Sequence, residues 1–168
     1  MKLYSTAALL AAIALLVAAN PPAKSINATR AFAAIAPKLK TATRVPVLLP
    51  TRLPSWVDAG PFAIIEQSSK THYAVDIAAV ADCNGAHVCS FGHVYGSSKP
   101  LSIDDIPGGG TWVVLGSGVK VRYVASVNYA YPSDAVLAWQ SGGNYYAITL
   151  KGGSLADLAA TMRSMRRY

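Results

Sequence analysis

The chain has 168 residues, a formal net charge of +7, 52% hydrophobic residues and only 14% charged ones. That charged fraction is well below the ~25% of an average soluble domain. A length of this order suits one domain with a single core, and it excludes a multidomain enzyme, a large barrel and a polytopic membrane protein.

Met1 and Lys2 make a short positive start, Thr6 to Ala19 is an unbroken small and aliphatic run, and Val17-Ala18-Ala19 places small residues before Asn20-Pro21-Pro22. This pattern predicts a signal peptide over residues 1–19. The run is shorter than the ~20 residues a helix needs to span a bilayer. The expected product is therefore exported, periplasmic or extracellular, with no integral span after cleavage. Ala31-Phe32-Ala33 offers a second small-residue cleavage site.

Residues 20–44 carry Lys24, Arg30, Lys38, Lys40 and Arg44 and no acidic residue. They are expected to form a basic linker or arm, solvated or touching anionic lipid or envelope polymer. Residues 28–36 are rich enough in alanine for a short helix, and Pro37 argues against its continuing. A single domain is expected over residues 45–168.

Prolines at 46, 50, 54 and 61 block helix there and confine any strand to an edge. Seven β-branched and aromatic runs follow, bounded by turn residues: Phe62–Glu66, His72–Ala81, His87–Tyr95, Thr111–Leu115, Val119–Asn128, Ala135–Gln140 and Asn144–Leu150. Gly116-Ser117-Gly118 and Ser141-Gly142-Gly143 join two pairs of them as hairpins. Alternation in Val119–Asn128 points Val121 and Tyr123 to the core and Lys120 and Arg122 to the opposite face. Ser154, with Asp157 three residues on, then caps a helix to about Arg166, with Leu155, Leu158, Ala159, Met162 and Met165 on one face and Arg163, Arg166 and Arg167 in its last turns. The predicted fold class is α+β, an antiparallel sheet of about six or seven strands with a C-terminal helix packed on one face.

Cys83 and Cys89 are the only cysteines, and export favours a disulfide between them. Asn84-Gly85 is a tight-turn dipeptide that would bring the flanks together. The rival is a metal site of Cys83, His87, Cys89 and His93, the last three of which would share a face if 87–93 were one strand. Its spacing lacks the usual zinc-knuckle form. No metal and no cofactor are expected.

The segment Val136–Leu150, with Trp139 and Tyr146 flanking a glycine turn, and the helix Leu155–Met165 after it resemble the end of an uncharacterised bacterial envelope domain. That domain is found in exported proteins and beside anti-sigma-factor-like regions. Val45-Pro-Val-Leu-Leu-Pro50 with Leu53-Pro54 is similar to its start, and the Cys-Asn-Gly turn is similar to a feature of exported relatives. The resemblance covers about residues 45–166 and implies a fold and a location, with no catalytic residues.

The chemistry-bearing motifs are few. Ser117 in Leu115-Gly-Ser-Gly-Val119 lies between two strands, where a nucleophile elbow needs a strand and a helix. Pro107–Thr111 lacks a lysine after its glycines. Asp104-Asp105 is a candidate calcium ligand pair but reads as a solvated loop. The remaining acids are scattered, and no pair is placed by sequence for glycoside hydrolysis. No catalytic residue is expected. The leading expectation is a non-enzymatic domain that binds an unknown envelope protein, polymer or small ligand, with no nucleic-acid partner. The alternative is a small hydrolase whose residues, such as His72, Asp76 and His93, converge only in three dimensions. Aromatics crowd the carboxyl-terminal hairpins, and alternate members are expected in the core. A contact surface is expected at a mouth formed by Tyr129, Tyr131 and the hairpin from Ser141 to Asn144.

Overall fold

Apolar residues at alternate positions of a strand must find cover on one side. The computed structural model describes residues 24–57, 61–83, 86–101, 110–127 and 133–168. In chain order its elements are β1 (Ser25–Asn27), α1 (Thr29–Ala42), β2 (Leu48–Pro50), β3 (Arg52–Pro54), β4 (Phe62–Ser68), β5 (His72–Ala78) and β6 (Ser90–Ser97). They continue as β7 (Thr111–Val114), β8 (Lys120–Val124), β9 (Asp134–Ser141), β10 (Asn144–Lys151), α2 (Leu155–Arg163) and β11 (Met165–Arg167). All seven expected strands are present. They form one antiparallel sheet in the order β4-β5-β6-β10-β9-β8-β7. The fold is α+β, with α2 packed against β9 and β10.

The inner face carries the main core. Tyr73, Val75 and Ile77 of β5, Val94 of β6, Leu137 of β9 and Ile148 and Leu150 of β10 are buried against Phe32, Leu39, Leu49, Leu53 and Leu158. Both helices therefore lie on the same face, with the proline-rich segment between them. Its residues 45–54 stay extended, as their prolines demand, and are stitched at two places by three-residue strands: β3 pairs with β1, and β2 pairs with β11. Tyr73 ties it to the sheet. Its hydroxyl donates to the Leu48 carbonyl and accepts from the Leu48 N–H, both at 3.0 Å. Gly96 makes room for the ring, since a Cβ there would sit 2.3 Å from Tyr73 Cε1. The β9–β10 hairpin closes through Gly142 and Gly143, both at positive φ (55° and 76°), the conformation a two-residue hairpin turn requires.

Three expectations are corrected. Residues 24–44 are not an arm. Ser25–Asn27 pairs with β3, and α1 runs fourteen residues through Pro37, burying Phe32, Ala36 and Leu39 at helical spacing. Pro37 falls on the exposed side, so the turn it weakens faces water. The C-terminal helix is capped by Ser154 and Asp157 in a reciprocal capping box, as expected, but it ends at Arg163. Arg166 and Arg167 lie in β11 because the exposed backbone of β2 offers pairing partners, Arg166 with Leu49 and Arg167 with Leu48. Finally, His87–His93 is not one strand. Residues 87–89 are a turn closed by bonds from the Cys89 and Ser90 N–H groups to the Ala86 carbonyl, and β6 begins at Ser90. The Cys83–Cys89 disulfide is present, with Cα atoms 5.6 Å apart. The expected turn at Asn84-Gly85, the signal peptide and Asp104-Asp105 lie outside the described residues.

Leu39 is fully buried in α1. Leu39→Ala is expected to cost about 2–5 kcal/mol of unfolding free energy, as for other buried leucines. Urea denaturation of the variant checks it, and a cost near zero would return residues 24–44 to the status of an arm.

Candidate functional site

On the outer face, alternation leaves Ala74, Asp76, His93, Tyr95, Val136, Ala138, Ala147 and Thr149 pointing away from the main core. Val124, Val136, Ala138 and Ala147 form a small second apolar cluster with Tyr95 and Leu101 packed on it. Polar groups collect on one side of this cluster and aromatic and basic groups on the other.

The polar side is centred on His93. Asp76 in β5 is fully buried, although its neighbours Val75 and Ile77 already fill the core side. Its Oδ1 accepts a 2.6 Å bond from Ser90 Oγ, while its Oδ2 is buried with no hydrogen-bond partner. His93 Nε2 lies 3.9 Å from Asp76 Oδ1 and 3.5 Å from Glu66 Oε2. Glu66 reaches the site because the β4–β5 register shifts between Ile65 and Gln67, turning this one residue out of sequence with the ladder. On the other side of the ring, Nδ1 stands 3.9 Å from Asp134 Oδ2 and 3.4 Å from Thr149 Oγ1. Thr149 donates to Asp134 at 2.8 Å and accepts the His93 backbone N–H at 3.0 Å. Tyr95 stacks on the imidazole with centroids 5.6 Å apart.

Burial alone would lower the His93 pKa, but the nearby carboxylates of Asp134, Glu66 and Asp76 outweigh it and hold it above the ordinary value of 6.5. Burial likewise opposes ionisation of Asp134. The neighbouring His93 ring, the hydrogen bond donated by Thr149 and the charge of His87 overcome this and hold its carboxyl below 3.8. Tyr95 is pushed up to about 12, by burial first and then by the three carboxylates. Beside this cluster a cavity of about 580 Å³ is lined by Glu66, Gln67, Thr71, His72, Tyr95 and Lys99 among others.

The aromatic side is a groove of about 380 Å³ whose lining includes Trp112, Lys120, Arg122, Gln140 and Tyr145, with Leu101 as the residue shared with the neighbouring cavity. Trp112 is 59% exposed and lies under Lys120, whose Nζ is 4.6 Å from the ring centroid. Tyr145 lines this groove, and Tyr146 and Trp139 border it while their stacked rings are buried in the main core.

Of the residues singled out from sequence, Asp76 and His93 meet. His72 stands four residues before Asp76 on β5, its Nδ1 2.9 Å from Ser69 Oγ. The metal alternative is not realised, since both cysteine sulfurs are in the disulfide. Among the described residues no group of three or more His, Cys, Asp or Glu side chains has the arrangement to hold a metal ion. Tyr129 and Tyr131 lie outside the described residues. Their flanks, Val127 and Ser133, meet through a 2.7 Å bond at the start of β9, whereas Ser141 and Asn144 pair at its far end. Sequence reasoning missed Glu66, Asp134 and Thr149. The signal within reach was Asp76, a lone carboxylate in the apolar run Tyr73–Val80.

No family model, no curated protein and no solved structure matches this chain.

Thr149→Val removes the hydroxyl that donates to Asp134. The Asp134 carboxyl is then expected to titrate at higher pH than in the parent protein, read by carbon-detected NMR of side-chain carboxyls. An unchanged midpoint would show that this bond does not hold the carboxylate.

Proposed function

We propose that this is an exported, non-enzymatic domain that binds an envelope protein, polymer or small ligand on the outer face of its sheet. The observation that carries the reading is the groove at Trp112, Lys120, Arg122, Gln140 and Tyr145, which combines aromatic rings, cations and an amide in a volume within the ~300–1,000 Å³ of small-ligand sites. A tryptophan more than half exposed on a strand is costly to leave in water and suits an apolar or ring-bearing partner. The expected hairpin surface at Ser141 and Asn144 adjoins this groove through Gln140 and Tyr145. Export is supported by the apolar amino-terminal run and by the disulfide, a bond that persists in oxidising compartments. Among the described residues no helix is long and apolar enough to cross a membrane. The resemblance of residues 45–166 to an envelope domain points the same way.

The hydrolase reading has one observation in its favour, the convergence of His93 with three carboxylates. Against it, the two hydroxyls beside the ring, Ser90 and Thr149, both donate to carboxylates rather than to His93. Neither is therefore poised as a nucleophile activated by the imidazole.

Trp112→Ala is expected to keep the fold, judged by circular dichroism, and to weaken co-sedimentation with purified cell-wall polymer on the order of tenfold, or ~1.4 kcal/mol. A folded variant that binds as the parent does would discard the groove. Turnover of fluorogenic ester or glycoside substrates that disappears in His93→Gln would replace this reading by the hydrolase.

A further inference from the structure

A buried carboxylate needs a counter-charge or a full set of hydrogen-bond donors. Asp76 has one donor, Ser90, and one oxygen with none. The cationic candidate facing it is His93. The orientation of that ring is fixed by the hydroxyl of Thr149, which has given its own proton to Asp134 and can only accept from Nδ1–H. With the Nδ1 proton so placed, a neutral ring would turn the lone pair of Nε2 toward Glu66 and Asp76, putting three acceptors face to face. The same arrangement with a proton on Nε2 is attractive on every side.

We propose that His93 is a proton-operated clamp on the outer face of the sheet, which in its imidazolium form holds together carboxylates from three different strands and releases them when it loses its proton. The groups facing it come from every neighbouring element. Glu66 belongs to β4, Asp76 to β5, Tyr95 to β6 itself, Asp134 to β9 and Thr149 to β10. Lys151, further along β10, is occupied by the carbonyl of His87. Ser90, ahead of His93 on its own strand, is occupied by Asp76.

The sign of the effect follows from the two displaced groups. A histidine raised in the folded state adds stability that is fully present below its unfolded value, about 6.5, and is lost as pH rises through the folded value. A carboxyl lowered in the folded state adds stability that is present above its unfolded value, about 3.8, and is lost as pH falls through the folded value. The clamp is therefore fully set in mildly acidic solution, between those two limits, and opens toward alkaline pH. β4 is the element freed first, because it is an edge strand, its bulge carries Glu66, and its outer end, from Glu66 to Ser68, is exposed.

The test is an NMR titration of the His93 ring in the parent protein and in Glu66→Gln, together with urea denaturation at about pH 5.5 and about pH 8. The His93 midpoint is expected above the ordinary value in the parent and lower in Glu66→Gln, whose exposed side chain can be changed without disturbing the core. The urea midpoint of the parent is expected to fall from the acidic to the alkaline condition. His93→Gln, which leaves His72 and His87 in place, is expected to flatten that fall. A parent His93 midpoint at or below the ordinary value overturns the clamp, even if His93→Gln does not fold. So does a His93→Gln protein with the parent's pH dependence.

Discussion

The phenol of Tyr73 joins the sheet to the extended segment laid across its inner face. Its ring is buried in the core, and its hydroxyl satisfies both backbone groups of Leu48. The extended stretch 45–54, with prolines at 46, 50 and 54, pairs only with three-residue strands outside the main sheet, so it needs side chains to hold its backbone. Tyr73 provides one such tie, and Tyr146, whose hydroxyl donates to the Pro46 carbonyl at 3.1 Å, provides a second. Once residues 45–50 are fixed across the inner face, α1 on one side and α2 on the other have a floor to pack on. The glycine at 96 belongs to the same constraint, since any side chain there would displace the ring.

The two faces of the sheet follow opposite rules as a result. The inner face is apolar, double-layered and closed. The outer face keeps a small apolar patch and spends its remaining positions on a carboxylate cluster and an aromatic groove. The carboxylate cluster and the groove thus share one face, separated by the apolar patch of Val124, Val136, Ala138 and Ala147.

Much of the fold was legible because alternation is local. The hairpins at Gly118 and at Gly142-Gly143, the split of Tyr145 from Tyr146, and the outward turn of Lys120 and Arg122 all follow from period two. What was missed needed long-range information. Pro37 reads as a helix stop at a cost of about 3 kcal/mol. Burial of Phe32 and Leu39, at roughly 1.5–3 kcal/mol each, outweighs it, and that burial exists only because the proline-rich segment and β4 lie beneath the helix. Arg166 and Arg167 read as cations at a helix end, whereas the unpaired edge of β2 recruits them. The His93 cluster takes its members from positions 66, 76, 93, 134 and 149. No spacing rule relates these, and the bulge that admits Glu66 has no signature in the sequence around it.

The pairing of β11 with β2 also sets an order of assembly. The chain must have been made as far as Arg167 before Leu48–Pro50 can acquire its strand partner. Thr51 binds the Ser164 carbonyl through both its N–H and its hydroxyl, and the Arg52 N–H donates to the Ser164 hydroxyl. The inner layer thus stays incomplete while most of the polypeptide is emerging, and the contacts that seal it span more than a hundred residues. Such late, distant closure slows folding and leaves apolar surface exposed in the interval. A seal made only after β11 has formed keeps the layer of α1, β2 and β3 open until the end of folding.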